Sequence, residues 1–583
     1  MKLILQVFLS IFSALILALA LPNEIYLLGS PYYTLFALVP FYYAISKCTS
    51  FKRSAFLTFL LTGFTHLFSS FWLANFKDFA ALTLGASSLG TAGIGFGFGL
   101  LFYLPYCLKK NSLYENSLSQ KFLDSPTFRI IYFSAVYTCY EWIKSIGFLG
   151  YPWATLPAAI FRWPVLMQLA SITGRYGITF LLCLVNGILG ELYILYTNNN
   201  YKQEKNRNFS IAVVFRFTAC LFACAIVFGL YEYNKTITPQ KTLQTVIIQH
   251  NYDNWDMGND NETILDLEEL TEEQIKLMRE EEVTPQLIVW SEGTVNRRFP
   301  NGESHYKKFP AERPLSKFIK EMNTPLVAGG AFTKDKVNKI YFNAAIMYDK
   351  NGQYRGYYGK NHLVPFAEAI PGMEIPAIKD FMSKVIGISS GWTPGDQYVF
   401  FDIPCTDYPA RRLPATKYID LSESYSTQLA KETKTPTVRI ATPICYDDAF
   451  PDIMGKLWKY GAELFVNLTN DSWSLTKSAE YQHFTVAAYS AIEYRTSMIR
   501  ATNSGYSVVL DPRGKILTDL PLFERTGTYF EVPVYQRTTT IYSRFGNWLP
   551  EIFMILIICY GVFIYCKQND KNFVKKNSLK KIL

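Results

Sequence analysis

Histidine is scarce in this chain, with five in 583 residues. None sits in a context that suits a Cys-His-Asn arrangement, and no grouping of His, Cys and carboxylates has metal-ligand spacing. Histidine-driven nucleophilic catalysis and a zinc centre are therefore not expected. Cysteines are more numerous, ten in all, but they make no disulfide framework. All except Cys405 and Cys445 fall in or beside long apolar stretches. Pairing of those two in an oxidising compartment is the plain alternative to a reactive thiol. Charge is low as well, at 18% of residues, and the formal net charge of +9 comes with no basic patch interleaved with aromatics. Nucleic acid is not an expected partner.

Apolar residues are abundant. Hydrophobic residues make up 49% and aromatics 16% of the chain, with a mean hydropathy of +0.07. A chain of this length is too long for one domain, and its composition is too apolar for a soluble enzyme. The apolar residues crowd into the part before about residue 235 and one late segment. Eight stretches approach the ~20 residues that cross a hydrocarbon core: 3–21, 31–47, 54–74, 81–107, 129–148, 177–196, 211–231 and 548–566. The first exceeds the ~7–15 apolar residues of a signal-peptide core and reads as a retained helix. The fourth holds Gly85, Gly90, Gly93, Gly95, Gly97 and Gly99, which suits close helix packing in lipid. Glu141, Lys144 and Glu191 lie near predicted span ends, where snorkelling or packing explains them.

Lysine and arginine set the orientation. Lys47, Lys52 and Arg53 follow span two; Lys109, Lys110 and Lys121 follow span four; Lys202, Lys205 and Arg207 follow span six. The tail beyond span eight carries six lysines from Lys567 to Lys581, while the odd-numbered loops are nearly free of positive charge. The even loops and the C-terminus are thus expected in the cytoplasm, and residues ~240–545 on the far side. The expected organisation is a membrane domain over 1–238, an extracytoplasmic domain over 239–545 with an inserted arm near 405–437, and a C-terminal helix with a basic tail over 546–583.

Between the last two spans the pattern changes to alternating strands and helices. Strands are expected at 245–249, 287–290, 326–330, 341–347, 438–441, 464–468 and 507–510, with a helix over 264–278 and a long one from about 478 to 500. This predicts one domain of layered sheets with helices outside.

Three residues in this domain carry chemistry together. Glu292 follows the strand Leu287-Ile288-Val289-Trp290, Lys360 lies in Gly359-Lys360-Asn361-His362, and Cys445 follows the 438–441 strand and opens a helix. Each alone has an ordinary reading, as an exposed carboxylate, a solvated lysine or a small core residue. Together they supply a proton acceptor, an oxyanion-stabilising cation and a sulfur nucleophile for acyl transfer through a thioester. A helix start at Cys445 is expected to lower the thiol pKa.

The runs Trp290-Ser291-Glu292, Lys360-Asn361-His362-Leu363-Val364-Pro365-Phe366-Ala367-Glu368, Pro443-Ile444-Cys445-Tyr446 and Asn467-Leu468-Thr469-Asn470-Asp471-Ser472-Trp473 carry a resemblance. Gln482-His483 and Arg500-Ala501-Thr502-Asn503-Ser504-Gly505 fit further on. The chain resembles the apolipoprotein N-acyltransferases, membrane members of the nitrilase superfamily, over nearly its whole length. The resemblance implies a multi-pass α-helical membrane domain, seven spans before and one after an αββα sandwich of the nitrilase type. It implies that Glu292 is the general base, Lys360 the stabilising cation and Cys445 the nucleophile. Glu368 would hold Lys360, and the Tyr446 amide would contribute to the oxyanion hole. Asp447 and Ala367 depart from the family's usual glutamate and glycine, and Trp255 is a possible counterpart of a substrate-contacting tryptophan.

The implied reaction moves an acyl chain from a phospholipid in the bilayer to the α-amine of an S-diacylglyceryl cysteine on an apolipoprotein, at the outer face of a bacterial inner membrane, without cofactor or metal. The arm near 405–437 is a candidate lid, and Tyr542, Phe545 and Trp548 are candidate interfacial anchors. Two rival readings keep parts of this pattern: a membrane-tethered amidase of the nitrilase type, and a transporter or structural membrane protein with an inert domain.

Overall fold

Strand periodicity in the polar middle produces the two faces of a sheet. In Lys241–Gln249 (β1) and Leu287–Trp290 (β2), Leu243, Ile247, Leu287 and Val289 join one core, while Val246, Ile248, Ile288 and Trp290 join another. Alternation of this kind is what a sheet covered on both sides requires. The remaining strands are β3 (Val295–Phe299), β4 (Leu326–Asp335), β5 (Ile340–Tyr348), β6 (Tyr354–Gly359), β7 (Phe400–Pro404), β8 (Thr406–Asp407), β9 (Thr437–Ala441), β10 (Leu464–Thr469), β11 (Ser497–Thr502), β12 (Val508–Leu510), β13 (Ile516–Asp519) and β14 (Thr526–Val534). They appear in a computed structural model that describes residues 1–76, 81–107, 122–197, 205–252, 260–365, 367–369, 372, 375, 391–407 and 436–580. Trp255 and most of the arm, 408–435, lie outside the described residues.

Two sheets form. One runs β14-β1-β2-β4-β5-β6, with β3 beside β4 and β8 beside β1; the other runs β13-β12-β11-β10-β9-β7. Their facing sides share a core that includes Val327 and Met347 from the first sheet and Val438 and Ile440 from the second. The outer face of the first sheet is covered by the helices Asp260–Glu280 and Leu315–Met322, through Ile264, Leu267, Phe318 and Ile319. The helix expected to reach about 500 ends at Glu493. Arg495 then turns with φ +48°, and Ser497–Thr502 pairs in parallel with β10 along its whole length.

Helices gather around a second core before and after this domain. Among the described residues, five are long and apolar enough to cross a membrane: Leu3–Ala20, Thr83–Cys107, Tyr176–Thr197, Asn208–Asn234 and Trp548–Lys567. The stretch 31–47 is not one continuous helix. It breaks into a 3-10 turn Pro31–Leu35 and a short helix Val39–Ser46, each with proline in its first turn, a residue that starts helices rather than continuing them. Phe51–Ser69 and Pro126–Lys144 are helical but carry Lys52, Arg53 and His66, and Arg129, Glu141 and Lys144, respectively.

Packing, not snorkelling, accounts for the ionisable residues among these helices. Glu191 is buried against Arg129 at 2.7 Å, Glu141 accepts from Thr179 and the Leu156 amide, and Lys144 donates to the Trp153 carbonyl. Of the glycines in the fourth stretch, Gly95 and Gly99 let Thr62 and Ala55 of the neighbouring helix approach, whereas Gly85, Gly90, Gly93 and Gly97 face open space.

Helix Lys477–Glu493 joins the two parts. Every residue in it except Lys477 and Tyr481 is buried; Phe484 and Ala488 pack with the sheets, Tyr489 and Ile492 with the apolar helices. Gln482 donates to the carbonyls of Pro22 at 2.7 Å and Ser69 at 2.9 Å, and Arg175 meets Glu493 at 3.1 Å in a fully buried pair. Tyr542, expected as an interfacial anchor, is buried instead, with its ring over Gly174. Phe545 is exposed, and the Trp548 indole donates to the Ile172 carbonyl.

Candidate active site

The end of β2 delivers Glu292. Its loop fits because Gly329 on β4 has no side chain: a Cβ there would collide with the Glu292 Cα and the Ser291 carbonyl. Lys360 is the residue just after β6, and its amide donates to the Asn343 carbonyl on β5 at 2.8 Å. The Lys360 ammonium donates to Glu368 Oε1 at 2.8 Å and stands 3.5 Å from Glu292 Oε1. Asn343 Nδ2 bridges the two carboxylates, at 2.6 Å to Glu292 and 3.1 Å to Glu368. The second Glu368 oxygen accepts from the Val364 amide at 2.8 Å. Sequence reasoning passed over Asn343, although an asparagine within the apolar strand Ile340–Tyr348 is the sort of polar exception that marks a site.

Cys445 lies beyond β9 in a backbone conformation with φ +45°, a left-handed region that costs a non-glycine residue on the order of 1–3 kcal/mol. It is a reduced thiol, as is Cys405, so no disulfide joins the two. The expected helix start is one 3-10 turn, Cys445–Ala449, and the α-helix begins only at Pro451. The expected drop in thiol pKa does not occur. Burial and the nearby Glu292 charge push the Cys445 thiol well up, against the opposing pull of Lys360. A thiol in this setting rests protonated and needs a base. Burial also raises Glu292, assisted by Glu368 and opposed by Lys360, which suits a carboxyl group that must take and return a proton. Burial would lower Lys360, but the Cys445 sulfur when ionised, together with Glu292 and Glu368, outweighs it and raises its pKa well above the ordinary range. The lysine is a permanent cation here.

Asp447 ties the Lys360 loop to the Cys445 turn. It accepts from the amides of His362 at 2.7 Å, Asn361 at 3.1 Å and Ile444 at 3.1 Å, and from the Tyr358 hydroxyl at 3.0 Å. Burial pushes its carboxyl up to about 7. Tyr446 stacks on Trp153 with ring centroids 5.1 Å apart, and its hydroxyl donates to the Gly150 carbonyl at 2.8 Å.

Near the sulfur is a charged group whose members the sequence runs contain but whose convergence on Cys445 they do not reveal. His483 Nδ1 meets Asp471 at 2.8 Å and its Nε2 meets Asp448 at 3.0 Å, while Arg500 pairs with Asp448. Burial opposes the charged imidazole, but Asp471 and Asp448 prevail and push His483 up to about 9. Cys445, Asp471 and His483 offer ligand atoms within 4.8 Å of one another, a grouping in space where the sequence shows no metal-ligand spacing. The residues converge from a turn, a strand end and a helix, so no local spacing announces them. The cluster does not suit a metal, because both ring nitrogens of His483 already face carboxylates and none is left to coordinate.

A cavity of about 320 Å3 opens at Cys445 and Tyr446. Trp72, Trp153 and Trp473 line it, and it continues along Ala86, Gly90 and Ile94 of the apolar segment Thr83–Cys107. Glu292 and Lys360 are not part of its wall. The arrangement can therefore present a long apolar group to a buried thiol, beside which Asn343 and Glu368 hold the Glu292 carboxylate and the Lys360 ammonium together.

Residues 13–188 match the Apolipoprotein N-acyltransferase N-terminal domain, and residues 224–542 match the Carbon-nitrogen hydrolase domain. Apolipoprotein N-acyltransferase 2 of Treponema denticola is 38% identical over 97% of this chain and 98% of its own length. Apolipoprotein N-acyltransferase of Borreliella burgdorferi is 28% identical over 98% of each. A solved carbon-nitrogen hydrolase from Helicobacter pylori G27 covers 50% of this chain and 90% of its own at 17% identity, with a TM-score of 0.33.

Proposed function

The chain belongs to the apolipoprotein N-acyltransferase family, and from that premise we propose a two-step transfer of a fatty acyl group through Cys445. The enzyme N-acylates lipoproteins. In the first step Glu292 takes the thiol proton while Cys445 Sγ attacks the ester carbonyl of a phospholipid. Lys360 stabilises the oxyanion, together with the Tyr446 amide. The C–O bond breaks, the leaving alkoxide receives the proton from Glu292, and a lysophospholipid departs from a thioester on Cys445. In the second step the free α-amine of the S-diacylglyceryl cysteine attacks that thioester, Glu292 takes a proton from the nitrogen as the C–N bond forms, the C–S bond breaks, and Glu292 passes that proton to the sulfur.

The observation that carries this reading is the cavity, which runs from Cys445 along a helix apolar enough to cross a membrane. A small soluble amide needs no such passage; an acyl chain does. Glu368 supports the role of Lys360 by holding it 2.8 Å away, and Asp447 supports the Cys445 turn through its backbone contacts. In this reading eight passes, the second of them the broken stretch 31–47, carry residues 1–238 and 546–583, the even loops face the cytoplasm by their lysines and arginines, and residues 239–545 stand on the periplasmic side of the inner membrane.

Purified protein supplied with phospholipid and a diacylated lipopeptide should give triacylated peptide by mass spectrometry. Cys445→Ala should give none. Release of free fatty acid alone, at equal rates with and without the lipopeptide, would instead favour a hydrolase.

A further inference from the structure

The cavity wall holds a carboxylate for which an apolar chain has no use. Asp471 is the one carboxylate among the described residues that line it, and its oxygens lie on both sides of the His483 Nδ1 contact, at 3.0 and 2.8 Å. Cys445 Sγ, a carboxylate oxygen of Asp471 and a ring nitrogen of His483 all fall within 4.8 Å of one another. An ammonium that contacts Asp471 at a charge-assisted distance of about 2.8 Å thus places its nitrogen close to the ~3–3.5 Å from which, once deprotonated, it can attack an acyl group on that sulfur.

The surroundings keep this carboxylate charged and fixed. Asp448 occupies the far nitrogen of His483 at 3.0 Å, so the imidazole is locked between two anions, and Arg500 stands 3.9 Å from Asp471. Burial would push Asp471 up, but His483, Arg500 and Lys360 together hold it below the usual carboxylate range. Its exposure is small, at 7%, and the cavity supplies that opening.

We infer that Asp471 is the docking point of the acceptor: the cationic α-ammonium of the diacylated cysteine binds Asp471, loses one proton to water, and as the free amine attacks the thioester on Cys445. This rests on the two-step reading given above. Of the three ammonium protons, one stays on the amide nitrogen, one restores the Cys445 thiol through Glu292, and one passes to water. The new C–N bond forms as the C–S bond breaks, so no oxidant or cofactor enters. Water can hydrogen-bond to Asp471 but carries no charge, so it gains less from the carboxylate than an ammonium does. The carboxylate therefore selects aminolysis over wasteful hydrolysis of the thioester.

The test uses the full-length protein in detergent, first loaded with acyl from phospholipid and then given either a diacylated lipopeptide or hydroxylamine, which is uncharged at neutral pH. Asp471→Asn should slow the lipopeptide reaction at least tenfold more than the hydroxylamine reaction, and Asp471→Glu should recover part of the difference. Equal slowing of the two nucleophiles would overturn the inference and leave Asp471 a structural residue. A second measurement needs no variant: a diacylated peptide whose α-amine is replaced by hydroxyl should inhibit the wild-type protein at least tenfold more weakly than one whose α-amine is N,N-dimethylated, which keeps the positive charge at neutral pH but cannot form an amide. Equal inhibition would also overturn it. Failure of the wild-type protein to load acyl at all would strike the two-step reading itself, a result that differs from both.

Discussion

Lys360 shows how a buried charge is made tolerable. Its ammonium lies between Glu368 and Glu292, and Asn343 ties the same two carboxylates together from the other side. Removal of the lysine leaves two carboxylates facing each other without a cation, a loss that costs about 3–5 kcal/mol in buried pairs. Lys360→Met should therefore lower the melting temperature in detergent and abolish loading of acyl from phospholipid; a variant that loads at the wild-type rate would remove Lys360 from the chemistry. His483 offers a pH-dependent counterpart. Its pKa near 9 lies above the ordinary 6.5, so the stability it contributes is fully present below about 6.5 and is lost as pH rises through 9. The difference is worth about 3 kcal/mol. The melting temperature of the wild-type protein should fall across that window more steeply than that of His483→Gln, and parallel curves would contradict the assignment.

At the scale of elements, apolar patterning marked β1, β2 and β5, whose alternating residues are divided between two cores, and β9 and β10, whose apolar residues all enter the one core that the two sheets share. The strand that delivers Lys360 was not legible. Tyr354-Arg355-Gly356-Tyr357-Tyr358-Gly359 has no aliphatic residue, and its strand character comes from pairing with β5. The turn at Cys445 was misread as a helix start for a similar reason: a run of Cys, Tyr and two Asp satisfies a helix N-terminus on paper, whereas Asp447 spends its carboxylate on amides from two separate loops. Likewise, His483 and Asp471 are brought to Cys445 by tertiary packing alone. The apolar segment Thr83–Cys107 offers a direct test of the cavity. Gly90 lines it and faces open space, so Gly90→Phe fits without backbone strain yet fills part of the passage. Turnover with long-chain donors should fall at least tenfold relative to short-chain donors; an unchanged chain-length profile would place the acyl group elsewhere.

At the scale of the molecule, the site exists where the layered domain meets the apolar helices. Tyr446 reaches the Gly150 carbonyl, Gln482 holds the carbonyls of Pro22 and Ser69, and Trp153 packs on both Tyr446 and His483. A thiol buried at such a seam is presented to lipid and shielded from bulk water, which is the condition a thioester intermediate needs. The hydropathy pattern separated apolar stretches from alternating strands along the chain; the seam between them, and the cavity through it, depend on side chains from elements hundreds of residues apart. The most direct test is the intact mass of the protein after incubation with a phospholipid of defined acyl chains. The wild-type protein should gain the mass of one acyl group, which hydroxylamine removes, and Cys445→Ala should gain nothing. An absent adduct on the wild-type protein, or one that persists in Cys445→Ala, would contradict a thioester on Cys445 as the carrier.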